Sequence, residues 1–215
     1  MKMTSKAVVL LSGGLDSATT LYAAHAQGYQ TYCLIFDYGQ RHAKEILCAK
    51  KLAQVTKSDF KIVKIGLPWG GSALTDKKIA LPKNRKNIPN EIPVTYVPAR
   101  NIIFLSFAAS YAEAVGAGAI FIGANAIDYS GYPDCRPSFY EAFAKVMKRG
   151  LKTGVSGKMI KIYTPLIRKT KAQIIRMGHK LGVPYELTWS CYAGGKKPCG
   201  VCDSCVLRAK GFADV

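Results

Sequence analysis

A chain of 215 residues, 49% hydrophobic and 20% charged, suits one domain with a small annex and a sizeable core, which excludes global disorder. No apolar run approaches the roughly 18 residues of a membrane span, and residues 7–11 are too short an apolar stretch for a signal-peptide core, so a cytosolic chain with no membrane partner is expected. The 31 Lys+Arg against 13 Asp+Glu give +18, a field that attracts anions without saying which.

Short apolar runs alternate with longer helical stretches. Residues 7–11 (AVVLL) read as a buried strand, 17–26 as a helix ended by Gly28, and 31–36 (TYCLIF) as a second strand. Ile46, Leu47, Leu52 and Val55 lie at helical period and predict a helix over 43–55, with a third strand at 60–65. Residues 66–95 break the rhythm with Gly, Asn, Lys and the prolines Pro68, Pro82, Pro89 and Pro93. A loop of that length in a compact domain is usually functional or mobile. The apolar stretch 101–115 predicts a helix, 119–123 (AIFIG) a fourth strand, 137–149 a helix with Pro137 at its first turn, and 160–163 a fifth strand. Thr170-Lys171-Ala172-Gln173 has capping-box spacing and opens a helix to about residue 181; a short helix over 204–213 closes the chain. Strands separated by helices imply an α/β fold with a five-stranded, doubly wound parallel sheet. Ligands of such sheets sit at the carboxyl ends of the strands.

After the first strand comes Ser12-Gly13-Gly14-Leu15-Asp16-Ser17, then a helix. Two glycines let the backbone approach an anion, two hydroxyls flank them, and the helix start favours negative charge. Asp16 would repel phosphate unless Mg²⁺ lay between them, so it predicts a metal–nucleotide complex. Neither G-x-x-x-x-G-K-[ST] nor G-x-G-x-x-G is present. The six residues resemble the SGGxDS pyrophosphate loop of the ATP pyrophosphatase family, whose members adenylate a substrate and release pyrophosphate. That resemblance implies ATP binding by Leu11, Ser12, Gly13, Gly14, Leu15, Asp16 and Ser17 and by the following Ala18, Thr19, Thr20 and Leu21.

Of seven cysteines, Cys33, Cys48 and Cys135 are scattered, while Cys191, Cys199, Cys202 and Cys205 crowd into one glycine-rich stretch. In a cytosolic chain such clustering points to a metal before disulfides. Four thiolates with no vacant position suit a closed tetrahedral zinc site, and the Cys199-x₂-Cys202-x₂-Cys205 run also has an iron–sulfur ligand spacing.

Three more stretches lie at predicted strand ends or helix starts: Asp37-Tyr38-Gly39-Gln40-Arg41-His42, Val97-Pro98-Ala99-Arg100-Asn101, and residues 123–136 (GANAIDYSGYPDCR). With the loop and the four cysteines they resemble the 7-cyano-7-deazaguanine synthase family of queuosine biosynthesis, from Val8 to about Leu207 and most weakly across 66–95. The resemblance implies an adenine nucleotide alpha hydrolase-like fold over 1–185, with 66–95 as a long substrate-side loop. It also implies a small C-terminal zinc-binding segment over 186–215 and a homodimer. The implied reaction converts 7-carboxy-7-deazaguanine, ammonia and ATP to the nitrile through adenylated intermediates, with one structural Zn²⁺ per chain and Mg²⁺ accompanying ATP.

Arg41, Arg100, Arg136 and Lys171 are the cations to place near phosphates or the substrate carboxylate, with Asn101 and Asp128 as further site residues. His42 is either a proton shuttle or a helix-start cap. Asp134 is either the acceptor for a guanine-like edge or a turn aspartate after Pro133. Tyr129 and Tyr132 either stack on the base or pack the loop, and Cys135 is not required as a nucleophile, since adenylation needs no covalent enzyme intermediate.

A tRNA-modifying member of the same loop family, of the thiolation or lysidine-synthetase type, is the competing reading. The net charge supports it, but the chain has no room for a separate RNA-binding domain. The basic residues form no stripe with interleaved aromatics, so nucleic acid is not the expected partner. A zinc-bearing nucleic-acid-binding protein leaves the phosphate loop unexplained. A glutamine-dependent amidotransferase lacks its nucleophile, since Lys2 follows Met1, so free or partner-supplied ammonia is expected.

Overall fold

The computed structural model describes residues 5–85, 92–125 and 131–215. Strands β1 (Lys6–Leu10), β2 (Gln30–Asp37), β3 (Asp59–Lys64), β4 (Ala119–Phe121) and β5 (Lys161–Tyr163) form one sheet in the order β3-β2-β1-β4-β5. Every neighbouring pair is parallel. Each parallel link needs a crossover. The crossovers are α1 (Leu15–Ala26), α2 (Lys44–Val55), α3 (Arg100–Val115), and α4 (Pro137–Gly150) with the short α5 (Lys152–Val155); α6 (Lys171–Lys180) and α7 (Asp203–Ala213) follow the last strand.

Two buried layers explain the apolar runs. Ala7 and Val9 of β1 join the cluster on one face, with Leu15, Ala18 and Leu21 of α1, Ile46 and Leu52 of α2, and Ile174 and Ile175 of α6. Val8 and Leu10 join the cluster on the other, with Leu105 and Ala108 of α3 and Tyr140 and Phe143 of α4. A strand covered on both faces has no polar side to show, and each fully buried Leu, Ile or Phe contributes roughly 1.5–3 kcal/mol. Edge strand β3 is the exception: charged Asp59, Lys61 and Lys64 are exposed, which blunts the edge against pairing with another chain.

The expected doubly wound parallel sheet is the observed one, with strands β4 and β5 shorter than the sequence suggests. Helix α5, with sequence KTGV, is too short to display a helical period, and the sequence reading omits it. The chain runs outward from β1 to β3 and then returns to β4 on the other side of β1. That reversal opens a crevice at the carboxyl ends of β1 and β4.

Candidate functional site

A cavity of about 300 Å³ occupies this crevice. Its wall includes Leu11, Ser12, Gly14, Leu15, Asp16 and Ser17 after β1, and Gly123, Ala124 and Asn125 after β4. The Ser17 hydroxyl accepts from the Ser12 and Gly13 amides, both at 3.2 Å, and donates to the Gly14 carbonyl at 3.0 Å, which fixes the loop's curve. Two glycines are sterically required. Gly13 has φ +86°, and a Cβ there would lie 2.1 Å from the Glu45 carbonyl oxygen, so the loop is pressed onto the first turn of α2. A Cβ on Gly123 would lie 2.9 Å from Thr20 Oγ1 and 3.0 Å from the Asp16 backbone, so the end of β4 lies directly against α1.

Of the residues expected to hold ATP, Leu11, Ser12, Gly14, Leu15, Asp16 and Ser17 line the cavity and Gly13 does not. Ala18, Thr19, Thr20 and Leu21 do not line the cavity. Ala18 and Leu21 are core residues, Thr19 bonds Leu15 O and Tyr185 Oη, and Thr20 bonds Asp16 O. Helical periodicity turns that stretch of α1 into the sheet, so it supports the loop from beneath.

Lys171, in the first turn of α6, reaches both carboxylate oxygens of Asp16 at 2.8 Å, and both side chains face the cavity. Arg100, the first residue of α3, also lines the cavity. Burial works against its charge, but the neighbouring Tyr38, Tyr132 and Cys135 together hold it firmly cationic. Glu45 also lines the cavity; burial raises its carboxyl to about 7, with the Arg100 charge opposing the rise. Arg208 of α7 faces the same space while bonding Thr188 Oγ1 (2.7 Å), Ser190 Oγ (3.2 Å) and Tyr185 O (2.9 Å). The sequence reading misses Glu45 and Arg208. An acid in a helix's first turn reads as an ordinary dipole partner, and Arg208 is one of many cations; only the tertiary fold distinguishes either.

Other expected site residues are tied to the protein. Arg41 lines the cavity, yet its guanidinium donates to the carbonyls of Ala73 (2.5 Å), Asp76 (3.0 Å) and Ile79 (2.5 Å), so it fastens the 66–85 stretch. His42 caps no helix: Nε2 bonds the Cys191 carbonyl at 2.8 Å, Nδ1 is buried without a partner, and burial lowers the ring's pKa. Asn101 gives its backbone N–H to Asp134 Oδ2 and its side-chain N–H to Asp134 O, both at 3.1 Å. Asp134 is 5% exposed and is not part of the cavity wall, so its carboxylate serves the start of α3. Tyr132 lines the cavity and bonds Thr95 Oγ1 at 2.8 Å. Cys135 lines it too, with burial raising its thiol to about 11, against a nucleophilic role. Arg136 is exposed and outside the cavity wall, at the N-cap of α4. Asp128 and Tyr129 lie outside the described residues.

The four clustered cysteines do meet. Their sulfurs lie within 4.8 Å of one another, and Cys191, Cys202 and Cys205 are buried. The Cys199 amide donates to Cys191 Sγ (3.3 Å) and the Cys202 amide to Cys199 Sγ (3.4 Å), bonds that favour thiolates. Burial opposes the charge on Cys199, but the amides of Val201 and Cys202 prevail and hold its thiol down to about 7. Four converging soft donors fit a metal such as zinc. The same segment adds Trp189, Ser190 and Tyr192 to the cavity wall.

The model of the queuosine biosynthesis protein QueC family matches residues 6–215. The chain belongs to that family. It is 60% identical over 210 residues to the 7-cyano-7-deazaguanine synthase of Acetivibrio thermocellus, covering 97% of this chain and 93% of the relative. It is 58% identical over 210 residues to the enzyme of that name from Thermoplasma acidophilum, covering 97% and 88%. NMN synthetase from Francisella tularensis shares the fold at a TM-score of 0.52 and 17% identity, covering 92% of this chain and 71% of that one. No helix among the described residues is long and apolar enough to cross a membrane.

Proposed function

We propose that the protein converts 7-carboxy-7-deazaguanine, ammonia and two ATP in turn to 7-cyano-7-deazaguanine, AMP and pyrophosphate, as a cytoplasmic homodimer. The observation that carries this reading is the family match over nearly the whole chain, with a phosphate loop opening onto the cavity at the β1/β4 switch point. A carboxylate resists attack by ammonia, so it must first be joined to the α-phosphate. Ammonia then displaces AMP to give the amide. A second adenylation, on the amide oxygen, permits loss of that oxygen as AMP and leaves the nitrile.

The chain's residues supply positioning and charge. Residues 12–17 and the start of α1 hold the phosphates, and Asp16 is set by Lys171 to face them. Bound Mg²⁺ would neutralise phosphate charge beside Asp16. Arg100 lines the same cavity and suits the substrate carboxylate or the α-phosphate. Tyr132 and Asn125 border the same space and suit the deazapurine. Cys191, Cys199, Cys202 and Cys205 would hold a zinc ion, and four thiolate ligands would leave it no open position, which suits a structural role. Residues 1–185 form the nucleotide domain, and 186–215 the zinc segment that completes its wall.

AMP release provides the test. Free 7-carboxy-7-deazaguanine should drive AMP and pyrophosphate formation without RNA, and ammonium should carry the product through to the nitrile. Turnover that required tRNA and ignored the free base would replace this reading with a tRNA-modifying one.

A further inference from the structure

On the path from ammonia to a nitrile, one nitrogen sheds three N–H protons. A group beside it must take each proton and return it to water before the next. The cavity wall offers few candidates among the described residues. Both oxygens of Asp16 are engaged by Lys171. His42 commits Nε2 to the Cys191 carbonyl, and its Nδ1 has no exposed surface. Burial raises the Tyr38, Tyr132 and Cys135 groups, so they hold their protons at neutral pH.

Glu45 remains. Its helix turn abuts Gly13 of the phosphate loop, its side chain lines the cavity, and its carboxyl makes no hydrogen bond to a described residue. The charged and titratable groups that act on it or feel it are Arg100 at the start of α3, Tyr38 just past β2, and Cys48 on its own helix. We propose that the Glu45 carboxylate is the general base that takes the N–H protons as ammonia becomes the nitrile nitrogen, an assignment that rests on the reaction proposed above.

In the first step the nitrogen lone pair forms the C–N bond, Glu45 takes one N–H proton, and the C–O electron pair leaves with AMP. The amide oxygen then displaces pyrophosphate from the second ATP. The nitrogen gives up its two remaining protons in turn to the same carboxylate, and the second C–O pair leaves with AMP. Burial holds the carboxyl at about 7, so it can release each proton to water at neutral pH.

The experiment compares wild type and Glu45→Gln with two nucleophiles, ammonium and hydroxylamine; hydroxylamine is unprotonated at neutral pH and sheds a single N–H proton to give the hydroxamate, whereas ammonium must shed four protons to give the nitrile. With ammonium, nitrile formation by Glu45→Gln should fall about 10²-fold or more, while hydroxamate formation stays within about threefold of wild type. The wild-type acid limb near pH 7 in kcat/KM should also disappear in the variant. Equal loss with both nucleophiles would make Glu45 a binding or structural group, and an unchanged ammonium rate would make it a bystander; either result overturns the assignment. A wild-type enzyme that forms no hydroxamate would instead overturn the adenylation reading, and Glu45's role with it.

Discussion

Lys171 meets both oxygens of Asp16, yet neither partner is fully withdrawn from water, at 16% and 29% side-chain exposure. A pair so placed contributes modestly to folding, about 1 kcal/mol. Its proposed value is in catalysis, where one carboxylate oriented at the start of α1 would face the metal-bound phosphates. Asp16→Asn should therefore cut substrate-driven AMP formation by about 10²-fold or more while shifting Tm by only about 2–4 °C. Parallel AMP assays and melting curves check this, and near wild-type AMP formation would remove Asp16 from the phosphate site. The loop itself was legible in the sequence because six consecutive residues carry both the turn and the chemistry. The cations were not legible in that way. Arg41 and Arg100 look equivalent in the chain, but Arg41 is spent on the carbonyls of Ala73, Asp76 and Ile79, partners that local spacing does not reveal. Glu45 was overlooked for the converse reason, since its perturbation arises from tertiary burial in the cavity wall, which the Arg100 charge opposes.

At the scale of elements, α6 shows how a local signal places a distant side chain. Thr170 Oγ1 accepts from the Gln173 amide at 3.3 Å, and Gln173 Oε1 accepts from the Thr170 amide at 2.9 Å, the reciprocal box its sequence spacing anticipates. The cap fixes the first turn, and Lys171 is that turn's first residue. Thr170→Ala should cost about 1 kcal/mol, read as a Tm loss of about 2–4 °C. It should also raise the KM for ATP more than it lowers kcat, because Lys171 loses its fixed origin while Asp16 stays in place. Steady-state kinetics with varied ATP separates the two parameters, and a fall in kcat alone would uncouple the cap from the nucleotide. The five strands and six of the helices were readable because each buries an apolar stripe or run. The 66–95 stretch was not, because its described part is held by carbonyl contacts to Arg41 and by a bridge from Lys83 to Cys202. Its order is therefore a property of its partners.

At the scale of the whole molecule, the thiolate cluster is joined to the switch-point cavity from several sides. The Cys191 carbonyl accepts from Trp189 Nε1 and pairs with His42 Nε2, both at 2.8 Å. The Asn84 amide bonds Val201 O at 2.9 Å, and Arg85 pairs with Asp203 beside Cys202. Lys44, next to Glu45, lies 4.2 Å above the Trp189 ring and bonds Lys196 O at 3.0 Å. A metal among the four sulfurs would thus brace the wall of the cavity while remaining closed to substrate. The segment between Cys191 and Cys205 is short and rich in glycine, so metal binding should supply much of its folding free energy. Stripping the metal with a strong chelator, or replacing Cys202 with Ser, should lower Tm by at least about 10 °C, because several kcal/mol of binding free energy disappear. ATP affinity should fall in the same samples, as Trp189, Ser190 and Tyr192 lose their support. Metal analysis should find one zinc per chain before treatment and none after it. Calorimetry of nucleotide binding on the folded fraction separates bracing from mere unfolding: a metal-free, still-folded protein that binds ATP as tightly as before would confine the cluster to stability alone, and iron with labile sulfide in the untreated protein would overturn zinc itself.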